Sequence, residues 1–173
     1  INGEIDVTVR ADAPAHLENL DQIFSGWTFR SSETQALQMD DFENPGMIFV
    51  DEGITAWNTV EGEAGESCAS CHGAPEEMAG VAATYPKWDE AAGEVQTMTM
   101  QVNDCRTEQM GAEEWAYDKS DMLNMTALLA SVSRGMSVDV AIDGPAAEMW
   151  ELGRDLYYTR TGQLELSCAN CHE

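Results

Sequence analysis

Apolar residues recur at steps of three and four in several stretches of the chain, and each such stretch predicts an amphipathic helix. In MIFVDEGITAWN, Met47, Val50, Ile54 and Trp57 fall on one face. Asn44 and Pro45 ahead of it supply an N-cap and a proline at the first helical position, and Gly62 is placed to end the helix in the left-handed backbone conformation. The clearest pattern lies in SDMLNMTALLASVSRG, where Met125, Leu128, Leu129 and Val132 form the stripe of a helix from about Asp121 to Arg134. Ser120 or Asp121 is expected to cap its start, and Arg134 with Gly135 marks its end. A shorter helix is predicted from Ser32 to Met39, with Ser32 and Gln35 set as a capping box. Between His72 and Asp121, glycine, proline and polar residues interrupt the periodicity, which predicts loops with short helical turns. Residues 1–43 show little other periodicity and are expected to wrap the domain that follows.

Part of the pattern occurs twice. Pro45, Gly53, Trp57, Thr59 and Gly62 match Pro145, Gly153, Tyr157, Thr159 and Gly162, and SCASCH at 67–72 matches SCANCH at 167–172. A constant offset of this kind predicts an internal duplication. The expected organisation is an N-terminal segment (1–43), a first domain (44–137) and the opening of a second (138–173).

With 173 residues and 43% hydrophobic content, the chain can bury the core of one ordinary domain or two small ones. Its formal charge of -24 opposes nucleic acid and anionic membrane surfaces, so neither is an expected partner. That acidity serves as a solvated surface or as a docking field for a basic protein. No apolar run approaches the roughly 20 residues of a membrane helix. The opening INGEIDVTVR lacks a basic stretch followed by an apolar one, as expected of a mature N-terminus from which a leader has been removed.

Chemistry concentrates at the cysteines. Four of the five stand as CxxC pairs, Cys68 with Cys71 and Cys168 with Cys171, and His72 and His172 directly follow. In CxxCH two thiols add to the two vinyl groups of one haem, and the adjacent histidine is thereby brought to the iron. A zinc ribbon is the alternative, but its two pairs usually lie much closer in sequence, and it leaves the histidines unexplained. Helix, CxxCH, irregular loops and a closing helix follow one another as in a class I cytochrome c domain. In that fold the first and last helices cross closely, which suits Gly53; the alternative is that the helix merely tolerates it, at about 1 kcal/mol.

The sixth iron position needs a donor between His72 and the closing helix. Met78, Met98, Met100 and Met110 qualify, and so does Cys105, the one cysteine outside the pairs, with Arg106 beside it to steady a thiolate. On residue chemistry alone a methionine ligand with an inert Cys105 and a Cys105 thiolate ligand both stand, and the thiolate would lower the reduction potential. His16, far from either motif, is read as structural or exposed. Tryptophans and methionines are read mainly as core, a few of them lining haem pockets.

ETQALQMDDFENPGMIFVDEG, SCASCH, YPKWDE, CRTEQM, SRGM and GRDLYYTRTGQLELSCANCHE together resemble the SoxA family of dihaem cytochromes c, from near residue 10 to residue 173. The resemblance implies a mainly α fold of two class I cytochrome c-like domains, the second incomplete in this sequence, and two covalently bound haem c groups. It implies attachment of the first haem at Cys68 and Cys71 with His72 and Cys105 as axial ligands. The second is implied at Cys168 and Cys171, with His172 as proximal ligand. The family's catalytic cysteine, found as a persulfide, and a neighbouring arginine fall in a later segment and are expected beyond Glu173. The implied activity is a periplasmic L-cysteine S-thiosulfotransferase, which joins thiosulfate oxidatively to a cysteine of the SoxYZ carrier and passes electrons to SoxX, a partner cytochrome c in a heterodimer. Thiosulfate dehydrogenation to tetrathionate and plain electron transfer are the competing readings.

Overall fold

The computed structural model describes residues 1–172 other than Pro14 and His16; the expectation for His16 lies outside the described residues. The chain divides into two compact units, one of residues 1–44 and 142–173 and the other of residues 45–141. The described residues are mainly helical, with two short two-stranded sheets.

In the first segment, β1 (Arg10–Asp12) and β2 (Gln22–Phe24) pair antiparallel, with Arg10 opposite Phe24. Helix α1 spans Ser32–Met39, as its sequence predicts, but its cap is Ser31, whose hydroxyl accepts from the Thr34 amide at 3.3 Å. The expected Ser32–Gln35 box does not form, because Gln35 instead donates through Nε2 to the Trp27 carbonyl at 3.0 Å.

The second unit begins at α2, Met47–Asn58. It starts two residues later than Asn44 and Pro45 suggest, and its N-cap Gly46 makes no side-chain bond. Val50, Gly53 and Trp57 are buried, whereas Ile54, expected on the inner face, is 40% exposed. Thr59 closes the helix in extended conformation, so Gly62 is not the terminator; it sits in the next turn, bridged between Glu61 and Glu66. The motif cysteines lie in the short helix α3, Cys68–His72.

The stretch expected to be loops holds more order than its composition suggests. Two 3₁₀ turns, Pro75–Met78 and Val81–Thr84, precede a hairpin of β3 (Lys87–Asp89) and β4 (Glu94–Gln96). Helix α4, Met98–Asp104, follows, and it widens into a π-helical segment over Cys105–Met110. Such widening is rare and frequently found at functional sites. The closing helix α5 covers Ser120–Ser131, with Lys119 at its N-cap and no side-chain cap, so neither Ser120 nor Asp121 plays that part.

Helices α2 and α5 cross to form the core of this unit. Val50 and Trp57 pack on Met125, Leu128 and Leu129, all under 9% exposed. Burying each such side chain contributes about 1.5–3 kcal/mol. Gly53 lies at the crossing: a Cβ there would stand 2.5 Å from the Asn124 carbonyl oxygen and 2.9 Å from Leu128 Cβ. Only glycine lets the backbones approach so closely. Ser133, just past α5, ties this core to the 3₁₀ turns, accepting from the Gly80 amide at 3.1 Å and donating to the Leu129 carbonyl at 3.0 Å.

In the other unit, Pro145 sits in a 3₁₀ turn, Gly144–Ala146, that leads into α6, Ala147–Tyr158. Here too a threonine, Thr159, closes the helix, and Gly162 lies in the following turn, bridged between Thr161 and Leu166. The short helix α7, Ala169–His172, ends the described chain. No residue of α6 is buried, and a Cβ on Gly153 would meet nothing within 4 Å. Among the described residues no helix is long and apolar enough to cross a membrane.

Candidate functional site

The site is assembled at the start of α3. Ser67 and Ser70 form a reciprocal cap: the Ser70 amide donates to Ser67 Oγ at 3.2 Å, and the Ser67 amide donates to Ser70 Oγ at 3.0 Å. Ser67 itself is buried. The cap winds Cys68–His72 into helix, and positions i, i+3 and i+4 of a helix share a face. Cys68, Cys71 and His72 accordingly line one cavity of about 380 Å³. That size lies in the range of cavities that enclose organic cofactors, about 300–1,000 Å³.

Trp57 of α2 backs the histidine. Its Nε1 donates to the Gly73 carbonyl at 2.9 Å, and its ring centre lies 5.9 Å from the imidazole. The turn ahead of α3 is pinned to the far end of the π-helical segment, because the Glu63 and Ala64 amides donate to the Gly111 and Met110 carbonyls at 3.2 and 3.0 Å. Gly62 makes this possible: its φ is +71°, and a Cβ would overlap the Met110 carbonyl. The CxxCH turn and the Cys105 segment are thus one hydrogen-bonded construction.

Across the cavity, Met98, Gln101, Val102 and Cys105 project from α4 at i, i+3, i+4 and i+7, one stripe of a helix. Three of the four methionines considered as donors, Met78, Met98 and Met110, line the cavity alongside Cys105; Met100 is not among the lining residues. Met125 and Leu129, read from sequence as core, form part of the same wall.

Arg106 differs from expectation. Its guanidinium, 5% exposed, pairs with Glu61 at 2.6 Å, donates to the Glu113 carbonyl at 3.0 Å and stacks 3.8 Å over the Trp115 ring. The hydrogen bond to the Cys105 sulfur comes instead from Gln101 Nε2, at 3.6 Å. The arginine's charge still reaches the cavity. Burial pushes the Cys68 thiol up, the Arg106 charge works against that, and Cys105 adds to it.

Cys168, Cys171 and His172 belong to the other unit, where all three are exposed. Their local frame is the same one built with other atoms: the Ser167 amide donates to Asn170 Oδ1 at 2.8 Å, as the Ser67 amide does to Ser70 Oγ. The two cysteine pairs therefore sit in different units. Among the described residues no three His, Cys, Asp or Glu side chains gather as a bare metal ion such as zinc requires. The donor set around the larger cavity, two thiols, an imidazole and a further thiol or thioether against an apolar wall, fits a covalently held haem.

A family model described as the SoxA/TsdA cytochrome c domain matches residues 52–138, which carry the whole CxxCH and Cys105 construction. The chain belongs to the SoxA/TsdA cytochrome c family. A cytochrome c domain of this kind holds haem c covalently. Among SoxA proteins, the chain is 59% identical to the L-cysteine S-thiosulfotransferase subunit SoxA of Rhodovulum sulfidophilum, matching 100% of this chain and 61% of that protein. The SoxA subunit of Paracoccus pantotrophus is 50% identical over 99% of this chain and 60% of its own length. A crystal structure of SoxXA from P. pantotrophus superposes with a TM-score of 0.90, at 50% identity, over 98% of this chain and 64% of that one. The chain thus spans about 60% of the length of these SoxA relatives.

Three residues of this SoxA/TsdA site escaped the sequence reading: Trp57 as the support of His72, and Gln101 with Tyr85 beside Cys105. The spacing of Met98, Gln101, Val102 and Cys105 behind Thr97, whose hydroxyl accepts from the Met100 amide at 3.2 Å, is the signal that locates α4.

Proposed function

We propose that the chain acts as the SoxA-type dihaem subunit of an L-cysteine S-thiosulfotransferase. The observation that carries this reading is the convergence of Cys68, Cys71, His72 and Cys105 on one apolar cavity, in a chain 59% identical to such a subunit. Cys68 and Cys71 would hold the first haem through thioethers, and His72 and Cys105 would supply donors to its iron. Cys168 and Cys171 would hold a second haem, with His172 as a donor to its iron. When bound, haem c supplies a one-electron acceptor.

The repeated frame of α2, turn and α3 in α6, turn and α7 supports an internal duplication. Residues 44–137 form the first class I cytochrome c-like domain and residues 138–173 the opening of a second, with residues 1–43 ahead of both. The rest of the second domain, with the catalytic cysteine and its arginine, belongs to the part of the relatives' length that this chain does not span.

The reaction joins the outer sulfur of thiosulfate to a cysteine sulfur of a SoxYZ-type carrier. One S–S bond forms, the carrier thiol loses its proton, and two electrons leave to a SoxX-like partner cytochrome c. The crystal structure of SoxXA supports that partner, and the setting we propose is the periplasm. The test mixes the full-length complex with carrier, thiosulfate and ferric cytochrome c. The expected product is a carrier heavier by one thiosulfonate; tetrathionate formed at the same rate without carrier would replace this reading with thiosulfate dehydrogenation.

A further inference from the structure

The Cys105 sulfur has a built partner that the family's ligand set does not mention. Gln101 lies one helical turn before it, and Gln101 Nε2 donates to Cys105 Sγ at 3.6 Å. The amide cannot turn freely, because its other end is occupied. Tyr85 Oη stands 3.3 Å from Gln101 Oε1. A carbonyl oxygen only accepts, so the phenol donates, and the amide nitrogen is left facing the sulfur. Tyr85 in turn is held on its ring face by Lys87, whose Nζ lies 4.5 Å from the ring centre. All four side chains line the same cavity, and they come from two segments, residues 85–87 leading into β3 and helix α4 with its π-helical continuation.

We propose that Gln101, oriented by Tyr85, is a positioning residue that hydrogen-bonds the Cys105 sulfur and raises the reduction potential of the iron this sulfur ligates. The inference rests on the reading of Cys105 as an axial donor. A donor to an anionic sulfur draws electron density from it, so the sulfur stabilises the ferric state less. Hydrogen bonds of this kind also fix the ligand's rotamer. Gln101 offsets part of the lowering that thiolate ligation imposes, and Tyr85 acts only through Gln101.

The test is spectroelectrochemical titration of the full-length complex carrying Gln101→Leu, Tyr85→Phe or Cys105→Met. Gln101→Leu is expected to lower the potential of this haem, reducing the ratio of reduced to oxidised iron at fixed poise about tenfold, or about 59 mV for a one-electron couple. Tyr85→Phe, which removes one oxygen and keeps the ring, moves the potential the same way by less. It serves as the readout if Gln101→Leu does not fold. A potential unchanged or raised in Gln101→Leu, or in Tyr85→Phe where that is the readout, overturns the inference. Cys105→Met separates the two failures: if it changes the thiolate absorption and the potential while the Gln101 and Tyr85 variants do nothing, only this inference falls. If Cys105→Met changes neither, the assignment of Cys105 falls and the inference with it.

Discussion

Replacing Gly53 by alanine adds one methyl group at the point where α2 and α5 touch. The new Cβ would lie 2.5 Å from the Asn124 carbonyl oxygen, while carbon and carbonyl oxygen ordinarily approach no closer than about 3.3 Å. The helices must therefore separate by about 0.8 Å. The obstructing atom is backbone, so no rotamer change relieves it. A gap of that size forfeits a quarter to a half of the dispersion energy of the contacts it opens, here Val50 and Trp57 against Met125, Leu128 and Leu129. Overpacking of this kind costs about 3 kcal/mol at the upper end of its usual range, and alanine's better helix propensity returns about 1 kcal/mol. The net loss is about 2 kcal/mol, which lowers the melting temperature of a unit this size by on the order of 10 °C. Thermal unfolding followed through helical circular dichroism measures it. Gly153→Ala in the same 173-residue chain is the control, because its Cβ meets nothing within 4 Å and only the propensity gain, up to about 1 kcal/mol, remains. A Gly53→Ala protein as stable as its parent, or more so, refutes the close-crossing argument.

Arg106→Met removes a buried cation that ties Glu61, Glu113 and Trp115 together, and is expected to cost about 2 kcal/mol in urea unfolding. The figure stays below that for a fully buried pair because the Glu61 side chain as a whole is 37% exposed, although the Oε2 that meets Arg106 is itself covered. A backbone hydrogen bond at Glu33, then the Ser31 hydroxyl, hold the Glu33 carboxyl below its ordinary value near 4.5. Its contribution to α1 is therefore present above that value and lost as pH falls through the depressed one. The protection of the amides in 32–39, taken against their intrinsic exchange rates at each pH, should weaken as pH falls below 4.5 through the depressed value, and should not do so in Glu33→Gln. The double variant Cys68→Ala/Cys71→Ala cannot attach the first haem. Left without an occupant, the cavity of about 380 Å³ exposes the apolar side chains that line it, among them Met78, Met98, Met125 and Leu129, to water. That variant should show no cooperative melting of residues 45–141 and rapid proteolysis there; a native-like transition would contradict it.

The α2 and α5 pair was legible because its inner face is made of large apolar side chains at regular spacing, which is what packing against another helix requires. The limits are equally physical. Ile54 matches the periodicity as well as Gly53 does, but the residue at the closest approach must be small, so Ile54 is turned outward. Helix α4 escaped because it has only seven residues and its inner stripe of Met98, Gln101, Val102 and Cys105 is broken by a polar glutamine, too little for a period to be counted. Strands of three residues are too short for alternation to be counted. Cys68, Cys71, His72 and Cys105 could be named from type and spacing and do line one cavity. Arg106 lines the same cavity as Cys105, but its guanidinium is engaged by Glu61, Glu113 and Trp115 and makes no hydrogen bond to the sulfur. The residue that reaches the sulfur is four positions back, not one forward.

The 380 Å³ cavity belongs to the 45–141 unit and is walled by residues from Trp57 to Leu129. Filling such a space adds packing that the bare chain lacks, so newly made protein is expected to be less stable and more accessible to proteases until its cofactor is attached. The steady-state amount of this protein in a cell then reports how fast haem is delivered to it rather than how fast the polypeptide is synthesised. A shortage of haem should appear first as missing protein, before any loss of specific activity in the molecules that remain.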